Sequence, residues 1–279
     1  MARIIKVKDK EIEIGKRTLV MGILNVTPDS FSDGGDFFDV TKAIEHAKEM
    51  VRDGADIIDI GGMSTRPGHE DVPDVPIEEE IRRVVPIIEK LSKELDVLIS
   101  VDTYRWEVAE KALEAGAHIL NDVWGLQYDN GEMACVIAKY DPIVIVMHNQ
   151  NSTEYDKDII LSMREFFERS FELIDKNNIP REKVFIDPGI GIGFGKDFDQ
   201  NIEVLRRMDE LKDIAPILLG TSRKTFIGAL LNNVPPKERC EGTIATSILG
   251  IEKGVEIVRV HDVLENKKAL LVADKLVRG

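Results

Sequence analysis

Cysteine is nearly missing from this chain. Cys135 and Cys240 lie far apart, without metal-ligand spacing, and each falls in a helical context. They are expected to be buried thiols in a reduced protein. Basic charge is in short supply: 37 Lys and Arg stand against 51 Asp and Glu, a formal net charge of −14. That balance argues against a general nucleic-acid or acidic-membrane surface, and neither partner is expected. Long apolar runs are missing too. The longest are strand-sized and the N-terminus is charged, so neither a signal peptide nor a membrane span is expected. With reduced thiols, the expected location is cytoplasmic. There is no Pro- or Gly-rich linker, no low-complexity segment, and no glycine fingerprint of dinucleotide-binding type after the first buried run.

What is present is a repeated event. Arg3 to Val7 and Glu11 to Ile14 alternate apolar and polar residues about Asp9-Lys10, the pattern of a small hairpin. Eight apolar runs follow: Leu19–Leu24, Ile57–Ile60, Val97–Val101, Ile119–Val123, Ile143–Met147, Val184–Ile186, Ile217–Leu219 and Glu256–Val260. Several are almost continuously apolar, as strands covered on both faces should be. Segments of helical period separate them, such as Ile77, Ile81, Val84, Ile88 and Leu91 after Pro76. In a chain of 279 residues, eight alternations indicate an α/β fold, a (β/α)8 TIM barrel over 18–279 with a short N-terminal β-hairpin over 1–17, as a single domain. A doubly wound open sheet is the alternative.

A barrel demands that chemistry sit where its strands end. Those ends carry Asn25 and a polar loop to Gly35, Gly61 to Gly68, Asp102-Thr103, Asn121-Asp122, His148-Asn149, Asp187 to Gly189, Ser222 to Thr225, and Arg259 with His261. Asp102, Asn121 and Asp187 suit the donors and acceptors of a flat heterocycle; helix caps or turns are the plainer explanation for each. Arg66, Arg223, Lys224, Arg259 and His261 concentrate positive charge in an acidic chain and suit an anion. Solvated surface charge is the plainer explanation there. It fits poorly for Arg259 and His261, which alternate with Val258 and Val260 and share one strand face. Met147 is either apolar wall beneath a ring or core, and His148 either lines the cavity or does not. His46, His69, His118, Trp106 and Trp124 read as structural.

These residues resemble one family closely, dihydropteroate synthase of the folate pathway. The resemblance rests on MGILNVTPDSFSDGG (21–35), DIIDIGGMSTRPG (56–68), SVDT (100–103), LNDVWG (120–125), FIDPGIGIGFGK (185–196), GTSRKTFIG (220–228) and VRVHDV (258–263), which span nearly the whole chain in order. It implies condensation of (7,8-dihydropterin-6-yl)methyl diphosphate with 4-aminobenzoate, giving 7,8-dihydropteroate and diphosphate. It further implies that Asp102, Asn121, Asp187, Lys224 and Met147 hold the pterin, and that Asn25 binds Mg2+ on the diphosphate. Thr65, Arg66, Arg259 and His261 would bind the diphosphate oxygens. Phe31, Pro67 and Thr225 would line the 4-aminobenzoate site, and Asp33 would order that substrate and stabilise developing positive charge. Asp33, Arg66, Lys224, Arg259 and His261 would thus carry catalysis, in a homodimer formed through helices remote from the site. The two polar loops are expected to close as lids. Met63 stands where many relatives have Glu, and Thr225 where Ser is common. The rivals are a methyltransferase moving a methyl group from a reduced folate to a corrinoid protein, an aldolase using Lys224 as a Schiff base, and a catalytically silent pterin binder.

Overall fold

The computed structural model describes residues 2–26, 36–63 and 75–279, with backbone alone for 36–39. Phe31, Asp33, Thr65, Arg66, Pro67 and His69, and with them both expected lids, lie outside the described residues.

Alternation in the first fourteen residues produces a hairpin of β1 (Arg3–Val7) and β2 (Lys10–Ile14). Its turn is Lys8-Asp9, one residue earlier than the sequence pattern suggests. Lys8 takes a left-handed φ of 51°, which lets Val7 pair directly with Lys10. Ile5, Val7, Ile12 and Ile14 share one buried face. They pack on Leu19, Ile57, Leu98, Ile119 and Ile143, each the first residue of a barrel strand. The hairpin therefore plugs the N-terminal end of the barrel, opposite the end where strand alternation places the polar residues.

The barrel strands are β3 (Leu19–Asn25), β4 (Ile57–Gly61), β5 (Leu98–Asp102), β6 (Ile119–Asp122), β7 (Ile143–Met147), β8 (Val184–Asp187), β9 (Ile217–Leu219) and β10 (Val255–Val260). All pair in parallel in chain order, and β10 closes on β3. The expected (β/α)8 architecture is thus observed. Its helices are α1 (Asp36–Arg52), α2 (Ile77–Glu94), α3 (Trp106–Ala115), α4 (Glu132–Tyr140), α5 (Ile159–Lys176), α6 (Phe198–Arg207), α7 (Thr225–Leu230), α8 (Cys240–Glu252) and α9 (Val263–Val277). Pro235-Pro236 separates α7 from α8, where a continuous helix would lose backbone bonds. α2 opens with Glu78, Glu79 and Glu80 at its positive end, and α6 with a reciprocal Asp197–Gln200 cap. The thiols correct their expectation. Cys135 is exposed and Cys240 half-buried, because α4 buries Met133, Ala134, Val136 and Ile137 and leaves Cys135 on the opposite face.

Candidate active site

A strand sends successive side chains to opposite faces, so one parity lines the barrel interior. On β10, Val258 and Val260 join the layer under the helices and Arg259 turns inward. On β5, Ile99 and Val101 go outward, leaving Ser100 and Asp102 inside; on β4, Ile58 and Ile60 leave Asp59 inside. Register then aligns the strand ends. Asn25 pairs with Gly61, Gly61 with Asp102, and Asp102 with Asn121, one continuous row across four strands. Met147 and Asp187 pair likewise on β7 and β8.

These positions open onto a pocket lined by Asp102, Asn121, Val123, Met147, Asp187, Ile190, Phe194, Gly220, Lys224 and Arg259. All five residues expected to hold a flat ring are among them. Val123, Met147 and Phe194 form its apolar wall. The Lys224 ammonium sits 4.5 Å from the Phe194 ring centroid, a cation–π contact that fixes both. Burial pushes Asp187 above the usual carboxylate range, against the Gly189 N–H, which donates to Oδ1 at 2.7 Å, and the charges of Lys224, Arg259 and Lys196.

Arg259 crosses the barrel from β10. Its Nε donates to Asp59 at 2.6 Å and its Nη2 to Asp102 at 2.5 Å. Burial opposes the guanidinium charge, but the two carboxylates overcome it and hold its pKa above the ordinary value. Burial raises Asp102 in turn, with the Arg259 charge pulling against it. Asp102 Oδ1 and Asp59 Oδ1 are buried and have no hydrogen-bond partner among the described residues. Carboxylate oxygens in that state are a pronounced acceptor for ligand or water donors.

The remaining expected residues spread around this centre. Asn25 ends β3 beside the pocket; its Oδ1 lies 3.9 Å from where a side chain on Gly61 would begin. His261 Nδ1 is 3.0 Å from Ser222 Oγ, and that hydroxyl also accepts the His261 backbone N–H. Thr225 is exposed at the start of α7. Arg223 does not join the cationic group. Its left-handed φ of 58° turns it to a bidentate pair with Asp262, at 3.0 and 2.5 Å. His148 is buried behind the wall and does not line the pocket. His118 is structural as expected, accepting the Ile99 N–H at 3.1 Å.

Two residues escaped the sequence reading. Asp59 is wholly buried and joins Arg259 to Asn121, whose Nδ2 donates to it at 3.2 Å. The available signal was one carboxylate inside an otherwise apolar strand. Lys196 is likewise wholly buried, behind Asp187.

Residues 21–261 match the family model described as pterin binding enzyme. The chain belongs to the pterin-binding enzyme family. Its likeness to individual members runs end to end. It is 49% identical over 275 residues to a dihydropteroate synthase of Clostridium beijerinckii, covering 98% of this chain and 99% of the relative. A Clostridium difficile dihydropteroate synthase solved in the presence of pteroic acid superposes with a TM-score of 0.91 at 59% identity, covering 95% of this chain and 99% of that one. The Xanthomonas albilineans dihydropteroate synthase solved with 4-aminobenzoic acid gives 0.91 at 36% identity, covering 99% and 98%. This pterin-binding enzyme therefore carries its polar strand ends on the fold those relatives share.

Proposed function

We propose that this pterin-binding enzyme acts in folate biosynthesis, joining (7,8-dihydropterin-6-yl)methyl diphosphate to 4-aminobenzoate and releasing diphosphate and 7,8-dihydropteroate. The observation that carries this reading is the pocket that Asp102, Asn121, Asp187, Lys224, Met147 and Arg259 line together. The end-to-end likeness to dihydropteroate synthases supports the second substrate and the reaction.

The chemistry follows from what each group can do. Carboxylates of Asp102 and Asp187 accept the paired N–H donors of an aminopyrimidine edge, and Asn121 both donates and accepts. An arylamine is a free base at neutral pH, so the reaction needs no strong general base. The barrier lies in departure of the diphosphate. Arg259 and His261 face the charge that develops there, and Arg259 Nη1 has no protein acceptor among the described residues. The electron-rich dihydropterin shares the cation left behind, which makes the substitution dissociative. Lys224 serves the ring from beside Phe194. Asp33, Thr65, Arg66, Phe31, Pro67 and Thr225 complete the diphosphate and 4-aminobenzoate sites in this proposal.

Mg2+ fits the donor set on one count: Asn25 offers a hard, neutral oxygen beside the pocket, and Mg2+ bound through substrate phosphates needs few protein ligands. When bound, it supplies charge neutralisation of the diphosphate. The cluster of Cys240, Asp262 and Glu265 does not suit it, since Asp262 is already paired with Arg223 and one donor is a thiol.

We also propose a cytoplasmic homodimer. Among the described residues no helix is long and apolar enough to cross a membrane. Yet α9 exposes Leu264, Leu271, Val272 and Leu276 on its outer side, a stripe suited to a second copy. Leu271→Glu is expected to halve the mass seen by light scattering; an unchanged mass would move the interface elsewhere.

The reaction is tested by mixing the pterin diphosphate, 4-aminobenzoate and Mg2+ with the purified protein. Diphosphate release that needs all three supports the assignment. Intact pterin binding without release would leave a silent binder.

A further inference from the structure

The segment following β8 is built to bend. Gly189, Gly191, Gly193 and Gly195 all take positive φ. A side chain on Gly189 would begin 2.0 Å from the His148 carbonyl oxygen, so only glycine fits there. Lys196 closes the segment, and its side chain turns inward instead of toward water. Its Nζ donates to the carbonyls of Gly189 and Phe194, both at 3.1 Å, and lies 2.8 Å from His148 Nδ1. A wholly buried amine is costly to keep unless its bonds do something specific. These bonds join the two ends of the turn whose Ile190 and Phe194 line the pterin pocket. They also lead to Asp187. Gly189, which accepts from Lys196, donates its own N–H to Asp187 Oδ1, and the His148 N–H donates to the Asp187 carbonyl at 2.9 Å.

We infer that Lys196 is a positioning residue of the pterin site: from behind the wall it fixes the Gly189–Phe194 turn and holds Asp187 as the carboxylate that accepts the ring's N–H groups. This rests on the pterin-binding reading of that pocket. Lys196 does not touch substrate and acts through Gly189, Phe194 and Asp187.

The charges around it give the inference a pH signature. The charges of Asp187 and Lys224 act on Lys196, His148 is bonded to it, the charge of Arg259 acts on Asp187, and that of Arg169 acts on His148. Burial lowers the Lys196 ammonium to about 7, with Asp187 pulling it up and Lys224 pushing it down. Burial drives His148 well below its ordinary value, so the imidazole is neutral and can accept from the ammonium. Lys196 is therefore charged below about pH 7 and increasingly neutral above it. Burial favours protonated Asp187 most on the acid side, which is where the Lys196 charge is present to oppose it.

The test is pterin affinity, measured by titration calorimetry without 4-aminobenzoate, near pH 6 and near pH 8.5. It compares the wild-type protein with Lys196→Met and with Lys196→Gln, which keeps a donor but no charge. Lys196→Met is expected to weaken pterin binding about tenfold or more near pH 6 and clearly less near pH 8.5, with Lys196→Gln between the two. The KM for 4-aminobenzoate should move less than about twofold, because the residue faces the pterin side only. An equal loss at both pH values, or an equal loss for both substrates, would mark a merely structural lysine and overturn the inference. Failure of both variants to fold would overturn it too, assigning Lys196 to folding alone. A wild-type protein that binds no pterin would sink the functional reading, whereas wild-type binding matched by Lys196→Met at both pH values would sink this inference alone.

Discussion

Arg259→Ala is expected to lower kcat/KM by about 10³-fold, the scale seen when a preorganised donor to developing negative charge is removed. The guanidinium lines the pocket from β10 while Asp59 and Asp102 hold it at 2.6 and 2.5 Å. Its removal takes away the charge proposed to meet the departing diphosphate. It also strands two carboxylates, one wholly buried, and that should cost about 3–5 kcal/mol of folding stability. The two effects separate in Arg259→Lys. A lysine restores a cation and much of the stability, but it has no planar fork to span both carboxylates and a phosphate oxygen, so turnover stays low. Steady-state kinetics with urea unfolding of both variants checks this. Near-normal turnover in Arg259→Ala would remove the diphosphate assignment.

The second large effect is expected at Asp59, which the pocket itself does not expose. Asp59 Oδ2 accepts from both Arg259 Nε and Asn121 Nδ2, and each of those residues lines the pocket. With Asp59 holding the guanidinium, Asp102 keeps Oδ1 unpartnered for the ring. In Asp59→Asn the charged acceptor is lost, and Arg259 has only Asp102 as a carboxylate partner. Pterin affinity should fall about 10- to 100-fold, as for loss of one hydrogen bond to a charged group. The fold should persist, because an amide of the same shape fills the site. Calorimetric titration with the pterin diphosphate reads the loss; an affinity within about twofold of wild type would show that Arg259 needs no anchor at β4.

Parity explains what the sequence disclosed about this site. Arg259 and His261 alternate with buried valines, and Asp102, Asn121 and Asp187 end apolar runs, so local pattern alone places all five at one rim. The barrel was legible for the same reason, since strands covered on both faces read as continuous apolar runs between helical stripes. Asp59 was hidden by that very rule: within Ile57–Ile60 it is a single carboxylate in a run that reads as core. Lys196 was hidden because burial of a lysine depends on a turn made by four glycines, and a hydropathy pattern carries no φ angles. Arg223 illustrates the converse. It neighbours Lys224 in the chain, yet its left-handed backbone sends it to Asp262 and out of the anion site. His148 ends its strand like the others, but its ring packs against Phe166 and Phe167 behind the wall.

The central claim is that this rim draws the diphosphate away before the amine attacks. The direct measurement is positional isotope exchange. The pterin diphosphate is labelled with oxygen-18 at the oxygen bridging the methylene carbon and the α-phosphorus, and incubated with enzyme and Mg2+ but no 4-aminobenzoate. Reversible cleavage of the C–O bond, with the diphosphate retained near Arg259 and His261 but free to turn about its α-phosphorus, should scramble the label into the non-bridging α-oxygens, and Arg259→Ala should abolish the scrambling. Label that stays in the bridge, in enzyme that turns over once 4-aminobenzoate is added, would contradict a dissociative departure.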